Sequence, residues 1–136
     1  MERLKVRLAI ARQALDTVMG ILQEPKTPIV RDASIQRFEY TFEAAWKTAQ
    51  LYLKTEEGLE LGSPKAVIRS SMQVGLLSEE QTRTALQMAD DRNLTVRTYN
   101  ENLAEKIYSR IPGYAAVMDH WLRVMEDRIR KAGPQQ

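Results

Sequence analysis

An all-α fold, an antiparallel up-and-down helical bundle of four main helices plus short helices, is what this sequence predicts. Three observations lead there. Apolar residues recur at steps of three and four over three long segments, Gly, Pro and capping residues punctuate the chain between them, and no Val/Ile/Thr-rich alternating segment suggests a sheet. A chain of 136 residues is of the commonest single-domain size and can bury a real core. Residues 1–131 are read as that one domain and residues 132–136 as a flexible C-terminal tail.

Each element has its own signal. Leu4, Leu8, Ala11, Leu15, Val18 and Leu22 form one stripe of a first helix, which ends near EPKTPIVRD, where Pro25 and Pro28 remove backbone donors. Asp32 or Ser34 is then expected to cap a second helix carrying Phe38, Phe42, Ala45, Trp46, Ala49 and Leu53. Gly58 and Gly62 mark its exit. A short third helix opens with Ser63 as cap and Pro64 in its first turn, and Gly75 closes it. Ser78 with Gln81 three residues on makes a capping box for a fourth helix. The last stripe runs Ile107, Ile111, Tyr114, Met118, Trp121, Met125 and Ile129, with Pro112 inside it. A break or kink is expected near residues 109–112, with Ser109 available as a new cap.

Composition excludes several function classes. Lys and Arg number 20 against 18 Asp and Glu, a net charge of +2, so there is no general basic field of the kind that would by itself argue for nucleic acid. The absence of cysteine rules out disulfides, zinc-thiolate sites and cysteine nucleophiles. No uncharged run reaches ten residues, against the roughly 20 needed to cross a bilayer. The expectation is a cytoplasmic protein without membrane contact. GSPK at 62–65 lacks the spacing of a P-loop, and no metal or cofactor is expected. His120, the single histidine, reads as an ordinary partly exposed side chain. Trp46, Phe38, Phe42 and Trp121 fit the helix seams, whereas Tyr40 and Tyr52 fall off the main seam, where one is available to an interface or a cleft.

The polar stretch DRNLTVRTYNEN, residues 91–102, is the candidate site. Arg92 ends the fourth helix and Arg97 follows the turn, so a bend between them would direct both guanidiniums into one cleft. The guanidinium is a planar, permanently charged fork suited to phosphate or carboxylate. Asn93, Thr95, Thr98 and Asn100 add neutral hydrogen-bonding groups. The plainer alternative is surface charge or an intramolecular ion pair. Asp90 and Asp91 read as a solvated helix C-terminal region rather than a metal pair. Their charge opposes the helix dipole and suggests a partner such as Arg92.

The segments IQRFEYTFEAAWKTAQLYL (35–53), SPKAVIRSSMQVGLL (63–77) and DRNLTVRTYNENLAEKIYSRIPGY (91–114) resemble, in order and spacing, the nucleotidyltransferase substrate-binding proteins of the HEPN superfamily, the group that includes HepT-like toxins. The resemblance covers residues 3–130. It implies an antiparallel helical bundle that forms a homodimer and works beside a minimal nucleotidyltransferase. The pair resembles a larger antibiotic nucleotidyltransferase split into two chains. In the HepT-like branch an arginine, four residues, a histidine, one residue and a tyrosine recur. The arginine and histidine are associated with metal-independent RNA cleavage at the dimer cleft, and the tyrosine receives AMP from the partner.

Mapped onto this chain the arginine is Arg92 and the tyrosine Tyr99, but Arg97 stands where that pattern has histidine. Histidine exchanges a proton near neutral pH. Arginine, with a pKa above about 12, stays protonated and makes a poor general base, though it holds phosphate and stabilises negative charge. The favoured reading is therefore a non-catalytic binding subunit, with Arg92, Asn93 and Arg97 contacting the phosphate of a nucleotide, RNA or other substrate. The alternative is a HepT-like ribonuclease toxin in which Arg92 and Arg97 support cleavage and AMP attachment at Tyr99, the expected modification site, silences it.

Overall fold

The computed structural model describes residues 2–95 and 100–132. Within them the chain forms five helices and no strand: α1 (Glu2–Ile21), α2 (Pro28–Glu57), α3 (Pro64–Gln73), α4 (Glu79–Thr95) and α5 (Glu101–Ala132). Four main helices and one short one make the bundle that the periodicity predicts. α2 lies at its centre and packs against all four others, while α5 also packs against α1 and α4.

The stripe on α1 is buried from Leu4 through Leu8, Ala11 and Leu15 to Val18, so the three-and-four spacing does place these residues on one face. α2 starts earlier than expected. Thr27, in extended backbone conformation, is its cap; its Oγ1 accepts from the Val30 N–H at 3.0 Å, and Pro28 takes the first helical position. A proline there surrenders only an N–H that has no helical partner anyway, so Thr-Pro starts the helix and Asp32 and Ser34 fall inside it. Ser34 is buried and its hydroxyl donates back to the Val30 carbonyl at 2.7 Å. Gly58, at φ 71°, ends α2, donating its N–H to the Lys54 carbonyl, while the Leu59 N–H reaches Leu53.

Ser63 and Pro64 open α3 as expected. The capping box of α4 is complete: Ser78 Oγ accepts from the Gln81 N–H at 3.1 Å, and Gln81 Oε1 accepts from the Ser78 N–H at 2.8 Å. Asn100 Oδ1 caps α5 by accepting from Leu103 N–H at 2.9 Å.

The expected break at Pro112 does not occur. α5 runs unbroken through it, and Ser109 is an interior residue rather than a cap. Pro112 and Gly113 sit on the exposed face, so the lost hydrogen bond and ring crowding fall toward solvent. The buried residues on either side, Ile107, Ile111, Tyr114 and Met118, stay in register on the core.

Aromatic side chains fill the middle of that core. Phe38 stacks on Tyr114 with ring centroids 5.3 Å apart and lies 6.2 Å from Phe42. Trp121 donates its indole N–H to Ser71 Oγ at 3.1 Å, tying α5 to α3. Tyr52 is also buried, so of the two off-seam tyrosines only Tyr40 reaches the surface.

Candidate anion-binding site

The last turn of α4 presents two adjacent charged residues, and each is fixed by a different helix. Asp91 points inward and is only 3 % exposed. Its carboxylate accepts two bonds from Arg110 Nη1, at 2.9 and 2.8 Å, and one from the Tyr114 hydroxyl at 2.5 Å. Burial, and then the hydrogen bond to Asp91, push the Tyr114 hydroxyl well above the ordinary tyrosine range. The expectation of a solvated Asp91 partnered by Arg92 is thus corrected. A carboxylate at this depth needs a full complement of donors, and α5 supplies them from Arg110 and Tyr114. Asp90, one residue earlier, is exposed and pairs with Lys65 at 2.7 Å.

Arg92 turns the other way, toward α2. Its Nη2 lies 2.9 Å from Glu43 Oε1, and Lys47 sits 3.4 Å from the second Glu43 oxygen. The side chain is about one-third exposed and lines a cavity of about 550 Å³ between α1 and α2, along whose walls stand Arg7, Ile10, Tyr40 and Lys47. On its far side Arg92 also lines a smaller cavity of about 180 Å³ with Asn93, Ser63 and Lys65. Arg92 and Asn93 therefore share one rim. The ion-pair alternative also holds: Glu43, one helical turn before Lys47 and inside the 35–53 segment, accepts from Arg92, a pairing that the sequence does not announce.

Arg97 and Tyr99, the other residues of the candidate motif, lie outside the described residues, together with Thr98. Both flanks of that segment are anchored. Before it, Asp91 and Arg92 clamp α4 to α5 and α2. After it, Arg31, 2 % exposed near the start of α2, holds the first turns of α5 through Glu105 at 2.8 Å and Glu101 at 3.4 Å, with Asp32 at 3.0 Å beside it. Hydrogen bonds from Lys26 and then Arg31 hold the Glu105 carboxyl below its usual range. The sequence pattern does not reveal this buried arginine, because Arg31 falls on a polar-looking stretch before the apolar stripe begins.

Among the described residues no group of three or more His, Cys, Asp or Glu could hold a metal ion. His120 is half-buried on α5, beside Asp119, whose carboxylate is taken by Arg12 and Arg123. No described helix is long and apolar enough to cross a membrane.

Residues 5–127 match the family model described as nucleotidyltransferase substrate binding protein like. The chain belongs to that family. A solved structure from Thermus thermophilus is similar at 53 % identity, with a TM-score of 0.81 over 85 % of this chain and 98 % of that one. More distant bundles share the fold. A mutant of the MntA–HepT toxin–antitoxin pair matches at 13 % identity and TM-score 0.76, over 93 % of this chain and 99 % of that one. The tri-AMPylated Shewanella oneidensis HEPN toxin, in complex with its MNT antitoxin, matches at 12 % identity and TM-score 0.71, over 91 % and 96 %. A search of the curated proteins found no match. What the described geometry offers chemically is an arginine held by Glu43 at the lip of an open cavity, a guanidinium fork of planar donors.

Proposed function

We propose that this member of the substrate-binding family is a non-catalytic subunit that pairs with a minimal nucleotidyltransferase, forms a homodimer, and binds a phosphate-bearing ligand at Arg92 and Arg97. The observation that carries the reading is the placement of Arg92, held by Glu43 at the lip of a cavity of about 550 Å³, a size that suits a small ligand. The sequence adds a second arginine, Arg97, five residues on, where a proton-exchanging histidine would be needed for general base catalysis. The family match supports the transferase partner. Co-expression with the neighbouring transferase and calorimetric titration with pyrophosphate test the reading. Co-elution and binding that Arg92→Ala abolishes are expected; failure of both removes the proposal.

A second reading has two observations in its favour. The chain keeps the spacing from Arg92 to Tyr99, and solved toxins share its fold. A ribonuclease silenced by AMP at Tyr99 would show an AMP adduct by mass spectrometry after incubation with the transferase and ATP, lost in Tyr99→Phe.

A further inference from the structure

The Arg92 cavity has a second half that a phosphate group alone does not use. Along α2, Gln36, Tyr40, Glu43 and Lys47 follow at steps of three and four, and Arg7 and Ile10 face them from α1, all lining the cavity of about 550 Å³. From Tyr40 to Lys47 the α2 wall runs about 10 Å at 1.5 Å per residue, so one small ligand can touch both ends.

Those ends differ in character. Toward Lys47 the cations gather: Lys47 itself, Arg92, joined to it through Glu43, and Arg7 from α1, whose guanidinium has no ion-pair partner among the described residues. Toward Tyr40 the lining turns apolar and aromatic. Tyr40 is 44 % exposed and Ile10 56 %. A 2.6 Å hydrogen bond between the Tyr40 hydroxyl and Thr17 Oγ1 anchors the ring at its tip, while its exposure leaves ring surface open beside the cavity. Around it stand the carboxylates of Glu39 and Glu43 and the Gln36 amide.

This mixture narrows the ligand. A bare chain of phosphates would be met by Glu39 and Glu43, which repel it and to which it offers no donor. A wholly apolar ligand would leave Arg7, Lys47 and Arg92 unused. A nucleotide answers every part of the lining: its phosphate accepts from the guanidiniums, its ribose hydroxyls donate to carboxylates, and its flat base stacks on an aromatic ring. We infer that the Arg92 cavity takes its ligand as a nucleotide unit, with the base on Tyr40 beside Ile10, the ribose toward Glu39 and Glu43, and the phosphate on Arg92 and Arg7. The assignment rests on the phosphate-binding reading of Arg92 and adds Tyr40 as the residue that selects for a base.

Isothermal titration calorimetry of the purified full chain with AMP and with ribose 5-phosphate, the same molecule without its base, tests this. AMP should bind more tightly by about tenfold or more. Tyr40→Ala should remove that advantage and leave ribose 5-phosphate unchanged, whereas Tyr40→Phe, which keeps the ring and loses only the bond to Thr17, should retain it. Arg92→Ala should weaken both ligands by a similar factor. A single-stranded RNA oligonucleotide titrated alongside separates the two sources of a nucleotide unit: tighter binding of AMP points to a free nucleotide, tighter binding of RNA to a residue within a strand, and Tyr40→Ala must weaken whichever is tighter. Equal binding of AMP and ribose 5-phosphate with no response of RNA to Tyr40→Ala, or an AMP advantage that survives Tyr40→Ala, overturns the base subsite, yet the phosphate reading stands if pyrophosphate binding is still lost in Arg92→Ala. Pyrophosphate and AMP binding that both survive Arg92→Ala overturn that reading and the base subsite together. Conversion of a dimer to a monomer by Tyr40→Ala in light scattering also overturns the subsite, because the ring would then belong to the subunit contact.

Discussion

Tyr114→Phe deletes one oxygen from the buried network around Asp91, and its cost follows from the geometry. The ring is 1 % exposed and stacked on Phe38, so the phenylalanine keeps the packing and loses only the 2.5 Å bond to Asp91. A hydrogen bond to a charged, buried acceptor contributes about 1.5–3 kcal/mol. Asp91 keeps both bonds from Arg110, which places the loss within that range rather than at the cost of a fully stranded charge. For 136 residues, an unfolding entropy of about 2.1 cal/mol/K per residue amounts to about 0.3 kcal/mol/K, so Tm should fall by about 5–10 °C. The sign of the pH dependence is fixed as well. The folded-state pKa of Tyr114 lies above its unfolded value of about 10, so its contribution is complete below about pH 10 and fades as pH rises further. The gap in Tm between wild type and Tyr114→Phe, followed by calorimetry, should therefore narrow in alkali. A Tm within about 1 °C of wild type at neutral pH would refute the claim that this bond holds the end of α4.

Other expectations follow from single contacts. Phe38→Ala empties the centre of the aromatic cluster and should cost about 3–5 kcal/mol in urea denaturation. Gly75→Ala should cost about 1–2 kcal/mol, because φ 85° is a left-handed backbone that a side chain resists. The new Cβ would also meet Arg128 Nη2 at 2.9 Å, and Arg128 donates through Nη1 to the Val74 carbonyl. Acid should unfold the bundle through Glu105 and Asp119. Lys26 and Arg31 hold Glu105 below its usual range. Burial opposes ionisation of Asp119, yet Arg12 and Arg123 hold it low. Folded values below unfolded ones mean stability present above about pH 4 and lost as pH falls through that region. Urea midpoints between about pH 6 and 3 should drop, and less steeply in Arg12→Ala, which removes the ion pairs to Asp119 and Glu126.

The bundle is legible in the sequence because burial and helical spacing coincide. Leu4 to Val18 on α1 and Ile107 to Ile129 on α5 are buried where the pattern puts them, and the Ser63-Pro64 and Ser78/Gln81 caps act locally, through atoms within one turn. The differences arise where a local rule meets the rest of the fold. Pro112 by itself predicts a break in α5, but a proline on the exposed face of a helix held by buried residues on both sides is tolerated. Asp91 reads as solvated because its partners, Arg110 and Tyr114, lie 19 and 23 residues away. At the site the type of residue is legible and its pairing is not. Arg92 suggests an anion-binding cation, but only the packing of α4 on α2 shows Glu43 holding it. Arg97 and Tyr99 stand as sequence observations.

The most direct measurement follows end-labelled single-stranded RNA incubated with the purified protein and with its Arg92→Ala variant, scoring both retention on a filter and cleavage on a gel. A non-catalytic phosphate-binding subunit retains RNA, loses retention with Arg92→Ala, and yields no fragments. Sustained turnover by the wild type that disappears in Arg92→Ala would contradict that account and identify a working ribonuclease.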